Sequence, residues 1–175
     1  LDGTASSADL RSVELDDLLG RDPVNLDWQA MAEMIKGRRV LITGGAGSIG
    51  SELCRQVARL EPDEITLFEQ NEFSLYSLAL ELEEQFPDVR FRRLLGDVRD
   101  PEAVQFHFSQ YRPQIVFHAA AYKHVPMLQT QLRETIRNNA VGTIVTACAA
   151  AENGVEKFIL ISTDKAVNPT SMMGV

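Results

Sequence analysis

Residues 40–53, VLITGGAGSIGSEL, decide the fold. An apolar, β-branched run ends at Thr43. Gly44 follows it directly, and Gly47 and Gly50 come after Gly44 at intervals of three residues. A helix with apolar residues at helical spacing begins within the same stretch, so the motif is a strand, a glycine turn and a helix. The first turn of a helix carries unpaired backbone N–H groups that attract anions. The stretch therefore predicts a loop that binds the pyrophosphate of a dinucleotide.

Each glycine has a separate predicted role in this loop. Gly44 permits the tight turn, Gly47 lets the backbone approach the pyrophosphate, and Gly50 lets the helix pack closely on the strand. Ser48 and Ile49 lie between the last two glycines and complete the predicted phosphate-binding residues.

Acidic residues follow the next two predicted strands. Glu69 ends the strand EITLFE, nineteen residues after Gly50, where a dinucleotide site needs a partner for the ribose. Its carboxylate would accept hydrogen bonds from the 2′-hydroxyl and repel a 2′-phosphate, so NAD is favoured over NADP. Asp97 and Val98, in GDVRD after the third strand, are expected beside the adenine ring.

The remaining sequence predicts an α/β protein with a Rossmann-type, doubly wound parallel sheet. Strands are predicted in RRVLITGG, EITLFE, VRFRRLLGD, QIVFHAAA and VEKFILIST, and helices alternate with them. The helical stretch that begins at Leu128 is predicted to be one long helix or a pair. Residues 1–36 are interpreted as a leader, an acidic arm and a short helix capped by Asp27, and residues 37–175 as the dinucleotide-binding domain.

Composition excludes some classes of function. The chain has 175 residues and a net charge of −8, which argues against a basic surface for nucleic acid or an anionic membrane. No run approaches the roughly 20 apolar residues of a membrane helix, and no cluster of His, Cys or carboxylates has metal-ligand spacing. Cys54 and Cys148 are predicted to be buried free thiols in a reducing, cytoplasmic compartment. His118 is predicted to be a packed histidine rather than a catalyst.

Several motifs together resemble a known family. TGGAGSIG, GDVRD, FHAAAYKHVP, NNAVGT and STDKAVNPTSMMG resemble the extended short-chain dehydrogenase/reductase superfamily, and specifically its polysaccharide-biosynthesis branch, the UDP-N-acetylglucosamine 4,6-dehydratases. The resemblance covers residues 37–175. Residues 12–36 are similar to the arm that precedes the catalytic domain in the long, membrane-anchored members.

The resemblance implies the function and the surroundings of the protein. The substrate would be a UDP-sugar, the protein a homo-oligomer, and its parent anchored at the cytoplasmic face of the bacterial inner membrane. The sheet would be truncated before the substrate-binding part, so we expect this chain not to turn over substrate alone.

The resemblance also assigns roles to individual residues. The small-residue wall beside the ribose and phosphates is Ala119, Ala120 and Ala121, the loop facing substrate and nicotinamide is Tyr122, Lys123 and His124, and Asn139 supports the active site. The catalytic trio is Thr163, Asp164 and Lys165, with Lys165 as the base at C5, Asp164 as the acid at C6, and Thr163 bonded to the C4 oxygen.

One position departs from the superfamily pattern. Met173 stands where most members have the catalytic Tyr, and the tyrosines of this chain, Tyr76, Tyr111 and Tyr122, lie elsewhere. A nucleotide-sugar 4-epimerase, the alternative enzyme, would lack its base. A non-catalytic nucleotide-binding module is the alternative from another class, and the presence of the Asp-Lys pair argues against it.

Overall fold

A five-stranded sheet forms the centre of the computed structural model, which describes residues 27–163 and 166–169. The elements, in chain order, are α1 (Trp28–Ile35), β1 (Arg39–Thr43), α2 (Ser48–Ala58), β2 (Glu64–Glu69), α3 (Glu72–Gln85), β3 (Arg90–Leu95), α4 (Pro101–Tyr111), β4 (Ile115–His118), α5 (Val125–Leu128), α6 (Leu132–Thr135), a π-helical turn (Ile136–Val141), α7 (Gly142–Glu152) and β5 (Lys157–Leu160). The predicted alternation is confirmed. The stretch from Leu128, predicted as one or two helices, is instead divided into α6, the π turn and α7, and the short helix α5 ends where that stretch begins. No helix in this described part of the chain is long and apolar enough to cross a bilayer.

The strand order shows where along the sheet a ligand can bind. All neighbouring strands are parallel, in the order β3-β2-β1-β4-β5. Thr43, the last residue of β1, pairs with Phe68 of β2 on one side and with His118 of β4 on the other. The order along the sheet therefore reverses at β1. In open α/β sheets, ligands bind at such a switch point, outside the carboxyl ends of the strands.

Helices cover both faces of the sheet, as predicted for parallel strands. Residues of β1 alternate between two apolar clusters: Val40 and Ile42 face one, and Leu41 faces the other. The first cluster includes residues of α2 and α3, and the second includes residues of α4 and α7. This two-sided burial fixes the register of β1 and thereby the position where the glycine loop begins.

Side-chain caps define where several helices begin. Asp27 accepts a hydrogen bond from the Ala30 amide at 2.9 Å, which confirms the predicted cap of α1. Asn71 caps α3 in the same way, and Asp100 caps α4 immediately before Pro101. These oxygens satisfy amides that the first turn of a helix leaves unpaired.

The two cysteines occupy different environments. Cys54 is fully buried, as predicted, and burial raises the pKa of its thiol to about 12. The prediction of a buried Cys148 is wrong, because this side chain lies on the exposed side of α7. The buried positions of α7 are Gly142, Thr146, Ala149 and Ala150.

A buried carboxylate joins β2 to the edge strand β3. The side chain of Glu64 accepts two hydrogen bonds from the guanidinium of Arg92, at 2.9 and 2.8 Å, and the residue is 3% exposed. The guanidinium also lies 4.2 Å from the centre of the Tyr111 ring. Hydrogen bonding to Arg92 holds the pKa of Glu64 below its usual value of 4.5.

We predict that Glu64→Gln lowers the free energy of unfolding by about 1–2 kcal/mol at pH 7, because a charge-assisted pair is lost. The folded pKa is the lower one, so this stabilisation is present above the unfolded pKa and disappears as the pH falls through the folded value. Chemical denaturation at pH 7 and at about pH 3.5 measures both effects. The control is Glu61→Gln, whose partner Lys36 is exposed. Equal decreases in the free energy of unfolding of the two variants at pH 7 would contradict this account.

Candidate functional site

A cavity opens where the carboxyl ends of β1 to β4 meet. It is lined by the last two residues of β2, by residues that follow each of the four strands and by one residue of the π turn: Gly44, Gly47, Phe68, Glu69, Gln70, Gly96, Val98, Ala119, Ala120, Ala121, Tyr122 and Asn138. The structure thus brings together, around one space, eight residues predicted for cofactor or substrate contact. The switch point of the sheet lies at the same place.

The glycine loop is built around Gly44. This residue has a φ of +62°, in the left-handed region that favours glycine. A Cβ atom here would lie 2.7 Å from the Cα of Ala120, so the loop also needs glycine for its approach to the chain after β4. The amide of Gly44 donates to the Phe68 carbonyl at 2.9 Å. The predicted tight turn is confirmed.

Helix α2 begins close against this turn. A Cβ on Gly50 would lie 2.1 Å from the Gly44 carbonyl oxygen, which leaves no space for any side chain. Unlike α1, α3 and α4, helix α2 has no side-chain cap, because the residue before its first turn, Gly47, provides only backbone. Ser48 and Ile49 occupy the exposed first turn. The N-terminus of α2 can therefore direct its amides to an anionic ligand.

Glu69 ends β2 beside the glycine loop. Its carboxylate accepts hydrogen bonds from the amides of Gln70 (2.9 Å), Asn71 (3.0 Å) and Ala46 (3.3 Å). Within residues 27–163 and 166–169, no Lys or Arg pairs with it. The backbone therefore fixes an anionic acceptor at the wall of the cavity, next to the loop that would hold phosphates.

Asp97 follows β3, and its neighbours Gly96 and Val98 line the cavity. The Asp97 carboxylate is engaged by Arg99, whose guanidinium donates to both oxygens at 2.6–2.9 Å and whose amide donates at 2.9 Å. This contact holds the pKa of Asp97 below its usual value. Arg99 also bonds Glu134 at 2.8 Å and so ties this loop to α6. An adenine contact through Asp97 remains a prediction.

Two asparagines of the π turn have different tasks. Asn139 accepts from the Tyr122 amide at 2.8 Å and donates to the Tyr122 carbonyl at 3.0 Å, so it clasps the loop after β4. Asn138 is 3% exposed, donates to the Asn139 side chain and lines the cavity. Sequence reasoning singled out Asn139 and missed Asn138. The Asn doublet was the available signal, but the π geometry that turns Asn138 to the cavity is not visible in the sequence.

The loop that Asn139 clasps reaches back to the glycine loop. The Lys123 ammonium donates a hydrogen bond to the Ser48 hydroxyl in the first turn of α2. Tyr122 lines the cavity, and His124 is exposed at the start of α5. Lys123 therefore adds a positive charge beside the uncapped helix N-terminus, within the loop that we predicted to face substrate and nicotinamide.

Only one residue of the predicted catalytic trio is described. Thr163 follows β5 by three residues, so it lies beyond the carboxyl end of a strand adjacent to β4. Its carbonyl accepts from the Ala166 amide at 3.2 Å. Asp164, Lys165 and Met173 lie outside the described residues.

His118 is packed, as predicted, and lies at the end of β4. It is 1% exposed, and its ring nitrogens bond the hydroxyls of Thr43 (2.8 Å) and Thr143 (3.0 Å). Burial lowers the pKa of its imidazole to about 4, so the ring is neutral near pH 7.

The switch point, the glycine loop and the acidic end of β2 define a Rossmann-type nucleotide-binding fold. Comparison with known proteins agrees with this class. The chain belongs to the polysaccharide biosynthesis protein family, whose model matches residues 40–175. The resemblance to the polysaccharide-biosynthesis branch of the extended short-chain dehydrogenases/reductases is thereby confirmed.

Individual relatives span this chain but extend well beyond it. The chain is 44% identical to the probable polysaccharide biosynthesis protein EpsC of Bacillus subtilis, over 98% of this chain and 29% of EpsC. It is 35% identical to an inverting UDP-N-acetylglucosamine 4,6-dehydratase of Campylobacter jejuni, over 81% of this chain and 41% of that enzyme. A UDP-glucose 4-epimerase of Rickettsia rickettsii is 34% identical, with the same coverage.

The fold has a close counterpart among solved structures. The X-ray structure of Pen from Bacillus thuringiensis superposes with a TM-score of 0.73 at 30% sequence identity. The match covers 80% of this chain and 43% of Pen.

We predict that Gly50→Ala abolishes dinucleotide binding, because its methyl group forces α2 away from the Gly44 carbonyl and misdirects the phosphate-binding amides. Isothermal titration with NAD measures the effect, and circular dichroism checks that the helices persist. Ser51→Ala, in the same turn, is the matched control and should bind as the wild type does. Binding by Gly50→Ala within about twofold of the wild type would show that the loop geometry is not required.

Proposed function

We propose that this chain is the NAD-binding portion of a nucleotide-sugar 4,6-dehydratase that converts UDP-N-acetylglucosamine to the UDP-4-keto-6-deoxy sugar. One observation carries the proposal: the uncapped N-terminus of α2, the glycine loop and the fixed carboxylate of Glu69 surround one cavity at the switch point. The 35% identity to a 4,6-dehydratase supports the choice of reaction.

The residues present fit a dinucleotide. The amides of the α2 N-terminus and the Lys123 ammonium would hold the pyrophosphate, and Gly44 and Gly50 permit the close backbone packing that places these amides. The carboxylate of Glu69 would accept hydrogen bonds from the ribose hydroxyls. Its charge, unpaired with any described cation, would repel a 2′-phosphate, which favours NAD over NADP.

The wall of the cavity would position the other parts of the cofactor. Ala119, Ala120 and Ala121 present small side chains after β4 and permit close approach of the ribose and phosphates. Gly96 and Val98 would pack on the adenine, and Asp97 would accept from its amino group beside the Arg99 guanidinium. With these roles, residues 37–175 would form the cofactor-binding domain, preceded by the leader, arm and short helix of residues 1–36.

The chemical step would be carried out at the end of β5. NAD, when bound, would supply reversible hydride transfer, with acceptance from C4 of the sugar and donation to C6. Thr163 would hydrogen-bond the C4 oxygen, Lys165 would remove the C5 proton that the ketone acidifies, and Asp164 would protonate the departing C6 hydroxyl. An acid and a base on neighbouring residues suit elimination across neighbouring carbon atoms.

A 4-epimerase is the alternative enzyme, since epimerases are also relatives. Met173 argues against it, because an epimerase of this superfamily uses a Tyr there as its base. A non-catalytic nucleotide-binding module is the second alternative, and the Asp164-Lys165 pair argues against that one. We further propose that the active protein is a homo-oligomer in the bacterial cytoplasm. Other segments of the longer parent protein would anchor it at the inner membrane, and its product would be used in the synthesis of surface glycans.

Mass spectrometry distinguishes these reactions. We expect the full-length gene product, given UDP-N-acetylglucosamine, to yield a product lighter by one water. Asp164→Asn and Lys165→Met should each lower the rate by about a hundredfold or more, while NAD binding is retained. A product of unchanged mass but new retention would establish an epimerase, and bound NAD without any product would contradict the proposed substrate.

A further inference from the structure

A buried histidine lies between the two loops that form the cavity. His118 ends β4, directly opposite Thr43, the last residue of β1 before Gly44. On its other side it meets Thr143 in the first turn of α7. The ring also stacks on Phe158 of β5, with the ring centres 5.9 Å apart. One neutral side chain thus touches β1, β5 and α7 behind the cavity.

The hydrogen-bond directions in this cluster follow from a count of protons. The Thr143 hydroxyl donates to the Asn139 carbonyl at 2.6 Å, so its oxygen must accept from His118. Nε2 of His118 therefore carries the hydrogen, and Nδ1 is unprotonated and accepts a hydrogen bond from the Thr43 hydroxyl. Every polar group of the cluster is then satisfied, which makes a buried network rigid.

The network continues to the loop that borders the cavity. Asn139, whose carbonyl receives the Thr143 hydroxyl, holds both the amide and the carbonyl of Tyr122 with its side chain. Lys123, the next residue, bonds Ser48, the first residue of α2 directly after the glycine loop. A chain of hydrogen bonds therefore runs from the end of β1, through His118, to the loop that faces the glycine loop across the cavity.

We propose that His118 and Thr143 are positioning residues that fix the Tyr122 loop relative to the glycine loop. Neither residue lines the cavity, so each acts through Asn139. The proposal rests on the proposed function in one respect only. If the cavity holds the cofactor beside the substrate, the distance between the two loops also sets the distance between substrate and cofactor. A displacement of the order of 1 Å at such a site can lower a rate by about a hundredfold.

Two threonines of α7, the half-buried Thr143 and the fully buried Thr146, provide the test. Thr143 and Thr146 each donate a hydroxyl to the carbonyl four residues earlier, at 2.6 and 2.7 Å. Only the Thr143 hydroxyl also accepts from His118. Thr143→Val removes the connection with little change of shape, Thr146→Val removes a similar hydroxyl elsewhere, and Thr143→Ser keeps the connection.

Hydrogen exchange of the Tyr122 amide tests the positioning itself, and it needs no turnover. We expect exchange to be about tenfold faster in Thr143→Val and unchanged in Thr146→Val and Thr143→Ser. In the wild type, ¹⁵N NMR should show the hydrogen of His118 on Nε2. Equal exchange in both valine variants, or a hydrogen on Nδ1, would overturn the proposal.

Kinetics of the full-length gene product test the consequence. We expect Thr143→Val to lower kcat for dehydration by about tenfold and to change the KM for the UDP-sugar by less than about threefold. Thr143→Ser should restore the rate, and Thr146→Val should leave it within about twofold. If both valine variants lose the same activity, the role of Thr143 is structural only. If the wild type neither binds NAD nor turns over, the proposed function fails and the exchange result still decides the positioning.

Discussion

The contact between Gly50 and the Gly44 carbonyl is the constraint on which the site depends. A Cβ there would lie 2.1 Å from that oxygen, so α2 can begin where it does only because position 50 has no side chain. A Cβ on Gly44 would likewise lie only 2.7–2.9 Å from the backbone of Ala119 and Ala120, in the chain after β4. The loop, the helix N-terminus and β4 therefore converge within van der Waals contact, and the space that remains is the cavity.

Hydrogen bonds connect the rest of the site to the glycine loop. Glu69 accepts from the amide of Ala46, so the end of β2 is fixed to the glycine loop, and Lys123 reaches the same loop from the far side. Behind them, His118 connects β1 to Thr143 of α7, whose hydroxyl donates to the main-chain carbonyl of Asn139 in the π turn. Apolar packing on both faces of the sheet fixes the register of each strand. These hydrogen bonds fix the positions of the loops that follow the strands.

The sequence predicted the strands, the glycine loop and Glu69, because apolar runs, glycines and turn residues alternate without ambiguity. It did not predict Asn138 as a lining residue, since a π turn changes which residue faces inward, and helical spacing does not report that change. It misplaced Cys148, because a helix rich in alanine gives little contrast between its faces. The pairing of Asp97 with Arg99 depends on how two side chains turn, which spacing alone does not determine.

The affinities for NAD and NADP test the central claim most directly. If Glu69 is the ribose partner, titration calorimetry should show NAD bound at least about tenfold more tightly than NADP. Glu69→Gln keeps an acceptor for the backbone amides but removes the charge, and it should narrow this ratio mainly by improving the affinity for NADP. Equal affinities in the wild type, or a ratio that the substitution leaves unchanged, would contradict the assignment of this cavity as an NAD site.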